Sequence, residues 1–308
     1  MIPGLSNWQS LRRRWRVLAA LLLFILLVVA WWRVGLRQQR APLRPDWSGD
    51  RLPNVRFHSD GRTLKGWVYG PEDKNLNGRR PAVIWNHGSE AEVWPSPALV
   101  ETFLRHGFVI FIPVRRYHRP STHGDTIMEL IYGASDRVRK WIELNEEENR
   151  DVFQALEWLR RQPYVDPGRL VAAGASFGGV QTLLAAERGA GFKAAIAFAP
   201  AAMSWGDGKG RINARMEAAV RNRKIPLFLI QAENDFSLGP TDVLGPLLDG
   251  AKLQHRVKQY PEFGTRTPGM SDEHWHGLGH GAFPAEGGDI WGPDVFGFIA
   301  EAFARPPP

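Results

Sequence analysis

Two short stretches bring together residue types that can do chemistry. GASFGG (174–179) places Ser176 between Gly174 and Gly178, and HWHGLGHGAF (274–283) packs His274, His276 and His280, three of the chain's nine histidines, into seven positions. A serine hydroxyl is a weak nucleophile until a neighbouring base takes its proton, so a serine and a later histidine form one candidate pair. The histidine trio by itself fits a second chemistry, because H-x-H-x3-H could offer three nitrogen ligands to a metal. The run contains no Asp, and a metal there leaves GASFGG without a purpose.

Each candidate needs an element to hold it. The run RLVAAG (169–174) reads as a buried strand, and a helical pattern follows GASFGG. A glycine-x-serine-x-glycine turn between strand and helix matches the nucleophile-elbow pattern, in which small residues let the backbone double back while the hydroxyl is held out. Further apolar runs at 81–88, 108–114, 193–200 and 226–233, with HRVKQY (255–260), predict more strands. VRFHSDGRTLKGWVYG predicts an antiparallel hairpin turning at Asp60-Gly61. Between the strands lie helical patterns: PALVETFLRHG, a long helix from Asn145 to about Gln162, and the closing DIWGPDVFGFIAEAF. Asn145 with Glu148 three residues on reads as a capping box, which would make the EEE run a water-facing helix start. The alternation specifies an α/β fold with a mostly parallel central sheet and helices on both faces.

With these residues in view, the chain resembles the α/β-hydrolase superfamily. NEEENRDVFQALEWLRRQPYVDPGRLVAAGASFGGVQTLLAA is most similar to its dienelactone-hydrolase-like and prolyl-peptidase-like branches. Dienelactone hydrolase itself uses a cysteine nucleophile and this chain has no cysteine, so only the branch likeness carries over. The resemblance implies the order Ser, acid, His: Ser176 as nucleophile, Asp235 in the loop after PLFLIQAE, and His280 within the small-residue turn GLGHGAF as base. Glu233 and Asp242 are local competitors for the acid, and His274 and His276 become rim residues. It also implies an oxyanion hole from the backbone N–H groups of Ser89, in NHGSE, and Phe177. The expected activity is a serine hydrolase cleaving an ester or related acyl bond through an acyl-enzyme. The alternatives are a serine peptidase on short peptides and a non-catalytic binding module that kept the fold. No cofactor or metal is implied, and the partner is a small acyl substrate. Arg115, Arg116 and Arg119, in a segment where specificity caps arise, could greet an acidic substrate or simply form a solvated face.

The net charge of +7 has a local origin. Eight arginines (12, 13, 14, 16, 33, 37, 40 and 44) and no acid lie in residues 1–45, leaving 31 basic residues against 32 acidic ones. A body without basic excess gives no ground for nucleic-acid binding. The arginines bracket the apolar run Val17–Trp32, which reads as a transmembrane anchor or, alternatively, a cleaved signal peptide. The expected organisation is a basic segment 1–16, an anchor 17–32, a linker 33–52 and one α/β-hydrolase catalytic domain 53–305, the last on the non-cytoplasmic side.

Overall fold

The computed structural model describes residues 52–70, 78–206, 210–249 and 253–305. The expected anchor at 17–32 lies outside them, and among the described residues no helix is long and apolar enough to cross a membrane.

Eight strands form one sheet: β1 (Val55–Ser59), β2 (Arg62–Tyr69), β3 (Arg80–Asn86), β4 (Val109–Val114), β5 (Val165–Ala175), β6 (Ala194–Phe198), β7 (Leu227–Ala232) and β8 (His255–Tyr260). Their order is β1-β2-β4-β3-β5-β6-β7-β8, with β1, β2 and β4 paired antiparallel and β3 to β8 parallel. The first hairpin turns where expected, with Asp60 at φ 46° and Gly61 at φ 74°. Edge strand β1 alternates buried and exposed residues, whereas β4, β6 and β7 are buried throughout. That contrast is expected of strands covered on one face and on two.

The helices described are α1 (Pro97–Arg105), α2 (Ile127–Tyr132), α3 (Arg137–Arg160), α4 (Phe177–Arg188), α5 (Gly210–Arg221), α6 (Gly239–Leu244), α7 (Asp272–Gly277), α8 (Phe283–Glu286) and α9 (Gly288–Ala304). They lie on both faces. Val83, Trp85, Ile110 and Ile112 pack into one core with Leu99 and Phe103 of α1 and Trp291 and Phe298 of α9. Phe111, one residue out of phase on β4, points the other way and meets Trp158 of α3 with ring centroids 5.0 Å apart. A strand's two-residue period thus divides its side chains between two helical layers.

The long helix corrects the sequence expectation. It starts at Arg137, eight residues before Asn145, and is capped by Asp136, whose side chain accepts from the Arg139 N–H. Asn145 and Glu148 lie inside it and are buried, so they form no capping box. The helix's buried stripe runs Trp141, Leu144, Asn145, Glu148, Asn149, Val152, Ala155, Leu156 and Leu159. This is the i, i+3, i+4 face of an amphipathic helix whose middle turn is polar. Those polar residues face partners inside the protein.

Strand order also locates the crevice. The chain leaves β3 toward β4 on one side, and β5 lies on the other. The C-terminal ends of β3 and β5 therefore flank the point at which an open α/β sheet leaves room for a ligand.

Candidate active site

Ser176 follows β5 at this point and takes φ 57°, ψ −120°, a conformation that L-residues rarely adopt. Such strain persists only where the surroundings impose it. Ser176 N–H donates to Phe198 O at 3.1 Å, and Ala201 N–H donates to Ser176 O at 3.2 Å, so β6 grips the turn on one side. On the other side the turn presses against the end of β3. A Cβ on Gly178 would lie 1.8 Å from Asn86 O, and one on Gly174 would lie 2.5 Å from the same oxygen. Glycine is required at both positions by this close approach of backbones. Phe177 opens α4, so its N–H is among those with no acceptor inside the helix.

Asp235 is buried and satisfied. Its Oδ1 accepts from Phe236 N–H at 2.7 Å and from His280 Nδ1–H at 2.8 Å, while Oδ2 accepts from Gln231 Nε2 at 2.8 Å. With Nδ1 carrying the proton toward Asp235, Nε2 of the ring is the basic nitrogen. That nitrogen is buried and has no hydrogen-bond partner among the described residues. The competing acids are elsewhere: Glu233 is exposed, and exposed Asp242 accepts from Gln259.

His280 was expected on a loop; it sits instead in a π-helical turn, Leu278–Ala282, between α7 and α8. Single π turns are often found at functional sites because they re-aim one side chain. The two glycines beside His280 have different surroundings. A Cβ on Gly279 would fall 2.6 Å from the Asn234 backbone, so this residue lets the turn approach the acid's loop, whereas Gly281 has open space. The three histidine rings go separate ways: His274 is exposed, His276 Nδ1 meets Asn234 O at 3.1 Å, and His280 meets Asp235. Among the described residues no three His, Cys, Asp or Glu side chains converge as a metal-binding set.

Ser176 and His280 line one cavity of about 430 Å³, together with Gly88, Ser89 and Glu90 of the turn after β3. Its far wall is apolar: Trp85, Trp94, Leu99, Ile112 and Pro284. The turn after β3 is fixed from behind by groups that sequence reasoning missed. Arg115 is fully buried; its Nη1 donates to His87 O and its Nη2 to Gly88 O, each at 2.9 Å, while Nε donates to Glu148 at 2.7 Å. His118 Nδ1 meets Glu90 O at 2.6 Å, and Nε2 lies 3.0 Å from Glu148 Oε1, an ion-pair distance rather than an aligned hydrogen bond. Burial pushes the Glu148 carboxyl up, but Arg115 and His118 beside it prevail and hold it at about 2. Burial, with Arg115 and His118 nearby, depresses the His87 imidazole well below its usual range. His87 Nε2 accepts from Arg115 N–H at 3.3 Å, as a neutral ring does.

The arginines therefore do not form a solvated face. Arg115 and Arg116 are buried, and Arg116 pairs with Asp151 and Asp60 at 2.7 Å; only Arg119 is exposed. None of the three lines the cavity. The signal for the cluster was present in RRYH and in the acids of 146–148, but no local pattern says that they meet. Asn234, between two acids, gave no signal. Its Nδ2 donates to Phe263 O and Trp275 O, and its Oδ1 accepts from Phe263 N–H, which ties the Asp235 loop to α7.

With this geometry in hand, the chain can be set beside known proteins. Residues 132–209, from the long helix through the elbow, match the model of the prolyl oligopeptidase family. The chain is 27% identical over 146 residues to dipeptidyl-peptidase 5 of Porphyromonas gingivalis, a stretch covering 46% of this chain and 20% of that one. Among solved structures it resembles Pyrococcus horikoshii acylaminoacyl peptidase, with a TM-score of 0.61 and 19% identity over 82% of this chain and 42% of that one. It also resembles a Klebsiella pneumoniae protein assigned as a dienelactone hydrolase, with a TM-score of 0.53 and 16% identity over 80% and 97% of the two chains. The chain thus spans less than half the length of the two peptidases. The chain has the α/β-hydrolase fold, and its helix–elbow segment is similar to the prolyl oligopeptidase family.

Proposed function

We propose that the chain is a serine hydrolase that cleaves the acyl bond of short peptide or aminoacyl substrates through a covalent acyl-enzyme. Ser176 Oγ attacks the carbonyl carbon as His280 Nε2 takes its proton, and Asp235 holds the imidazole in the required tautomer. The oxyanion accepts from the N–H groups of Ser89 and Phe177. The tetrahedral adduct collapses as His280 returns the proton to the leaving amine, and water, activated by the same nitrogen, releases the acyl group. The observation that carries this reading is the buried Asp235–His280 pair, whose Nε2 has no hydrogen-bond partner among the described residues, in a histidine that lines the same cavity as the strained Ser176. The matches to a peptidase family and a dipeptidyl-peptidase favour an amide bond over the carboxylic ester expected from sequence.

A fluorophosphonate should label Ser176 alone, because only an activated serine attacks phosphorus quickly. Labelling should collapse in His280→Ala and persist within a few-fold in His274→Ala and His276→Ala. Absence of labelling in the wild type would leave the non-catalytic module as the better reading. Turnover of aminoacyl p-nitroanilides against p-nitrophenyl acyl esters then ranks peptidase against esterase. The run at 17–32 is proposed as an uncleaved anchor; full-length protein that leaves membranes in alkaline carbonate would argue against it.

A further inference from the structure

Glu90 contributes the one carboxylate on the cavity wall among the described residues, and the mechanism above gives it no task. Its surroundings do. The other ionisable groups lining the cavity are His87 and His280; no lysine or arginine lines it. His87 lies 3.7 Å from Glu90 Oε1, but its ring is the neutral acceptor of the Arg115 N–H described above, so it does not cancel the carboxylate's charge.

Glu90 is also placed with some accuracy. Its carbonyl is fixed by His118 Nδ1, and the next carbonyl, Ala91 O, accepts from Arg119 N–H at 2.8 Å. The side chain thus projects from anchored backbone, half-exposed, toward the cavity. A Cβ built on Gly88 would lie 2.7 Å from Glu90 Oε2 and 3.7 Å from Ser176 Cβ, so the carboxylate is no farther from the serine Cβ than those two distances combined. In an aminoacyl group the α-nitrogen is about 2.5 Å from the carbonyl carbon. With the carbonyl bonded to Ser176, one charge-assisted hydrogen bond of about 2.8 Å bridges the remaining gap.

Resting on the serine-hydrolase reading, we propose that Glu90 receives the free α-ammonium of the residue whose carbonyl is attacked. The substrates are then aminoacyl amides or peptides cleaved after an unblocked first residue, whose apolar side chain lies against Trp85, Leu99 and Ile112. This reverses the electrostatic expectation from the arginine-rich segment: the cavity selects a cation.

Calorimetry on full-length Ser176→Ala protein tests binding without needing turnover. Leucinamide should bind at least tenfold more tightly than N-acetyl-leucinamide, and adding Glu90→Gln should erase the difference while circular dichroism stays unchanged. Equal or tighter binding of the acetylated ligand, no leucinamide binding at millimolar concentration, or a preference that survives Glu90→Gln overturns the assignment. Fluorophosphonate labelling of the wild type reports separately on the hydrolase reading. A protein that prefers leucinamide but does not label keeps the ammonium site and loses the acyl-transfer chemistry.

Discussion

Replacing Glu148 by glutamine keeps the shape of the buried cluster and deletes its central charge. The carboxyl sits at about 2, against 4.5 for an unperturbed glutamate, because Arg115 and His118 outweigh the cost of burial. A depression of that size corresponds to roughly 3 kcal/mol of stabilisation. Seen from the partner, the substitution strands a fully buried guanidinium, which typically costs about 3–5 kcal/mol. These two figures describe one interaction from its two ends and are not added. Because the folded carboxyl is depressed below its unfolded value, the stabilisation is complete above pH 4.5 and is lost as pH falls toward 2. Unfolding free energies of wild type and Glu148→Gln from urea titrations should therefore differ by about 3–5 kcal/mol at pH 7, and by pH 3 roughly 2 kcal/mol of the gap should be gone. Titrating groups remote from Glu148 are common to both proteins and cancel in the difference, leaving Glu148 and its neighbour His118 to set the pH dependence of the gap. A gap below about 1 kcal/mol at pH 7, or one that stays constant down to pH 3, would refute the assignment of Glu148 as an ionised partner of Arg115.

Three further outcomes follow from the site. Asp235→Asn should fold normally and lose up to about four orders of magnitude in kcat, since the amide can favour the wrong imidazole tautomer, whereas Glu233→Gln and Asp242→Asn should stay within a few-fold; p-nitroanilide kinetics decide. Arg115→Lys replaces a planar fork that reaches two carbonyls and a carboxylate with a point charge, so kcat should fall about 100-fold from a loosened Ser89 N–H, with KM much less affected. Gly178→Ala, which must displace the end of β3, should yield insoluble protein or lower Tm sharply, while Gly281→Ala, which meets nothing within 4 Å, should melt like the wild type.

The parts of this molecule that could be read from sequence are those whose cause is local. Strands β3, β4, β6 and β7 announce themselves as apolar runs, and the Asp60-Gly61 turn by its need for positive φ. Ser176 was legible because an elbow demands particular small neighbours, and GASFGG supplies them. What escaped depends on contacts between distant residues. A buried Glu148 and a helix-capping Glu148 look the same in a one-dimensional pattern; the difference is Arg115, 33 positions away. The arginine-rich segment looked like a surface for the same reason. Arg115 and Arg116 are met by Glu148 and Asp151 of α3, and hydropathy registers only that both sides are charged. The order Ser, acid, His puts His280 on a loop after the last strand, yet it lies in a π-helical turn whose Gly279 allows close contact with the Asn234 backbone.

The position of the buried cluster has a consequence for how the site can vary. The turn His87–Ser89 is pressed from one side by the elbow, where Gly174 and Gly178 leave no room beside Asn86 O. From the other side Arg115 holds its two carbonyls. A peptide unit whose carbonyl is fixed has its N–H direction fixed as well, because the unit is planar. Holding Gly88 O therefore aims the N–H of Ser89, whatever side chain residue 89 carries. Part of the cavity's apolar wall, by contrast, lies outside the sheet: Trp94 and Pro95 in a connecting segment, Leu99 in α1 and Pro284 in α8. None of these side chains takes part in the Arg115–Glu148 hydrogen bonds. Substitutions along that part of the wall can thus reshape what the cavity accepts without disturbing the proposed oxyanion donors, the N–H groups of Ser89 and Phe177, while changes in the buried cluster reach the Ser89 N–H first.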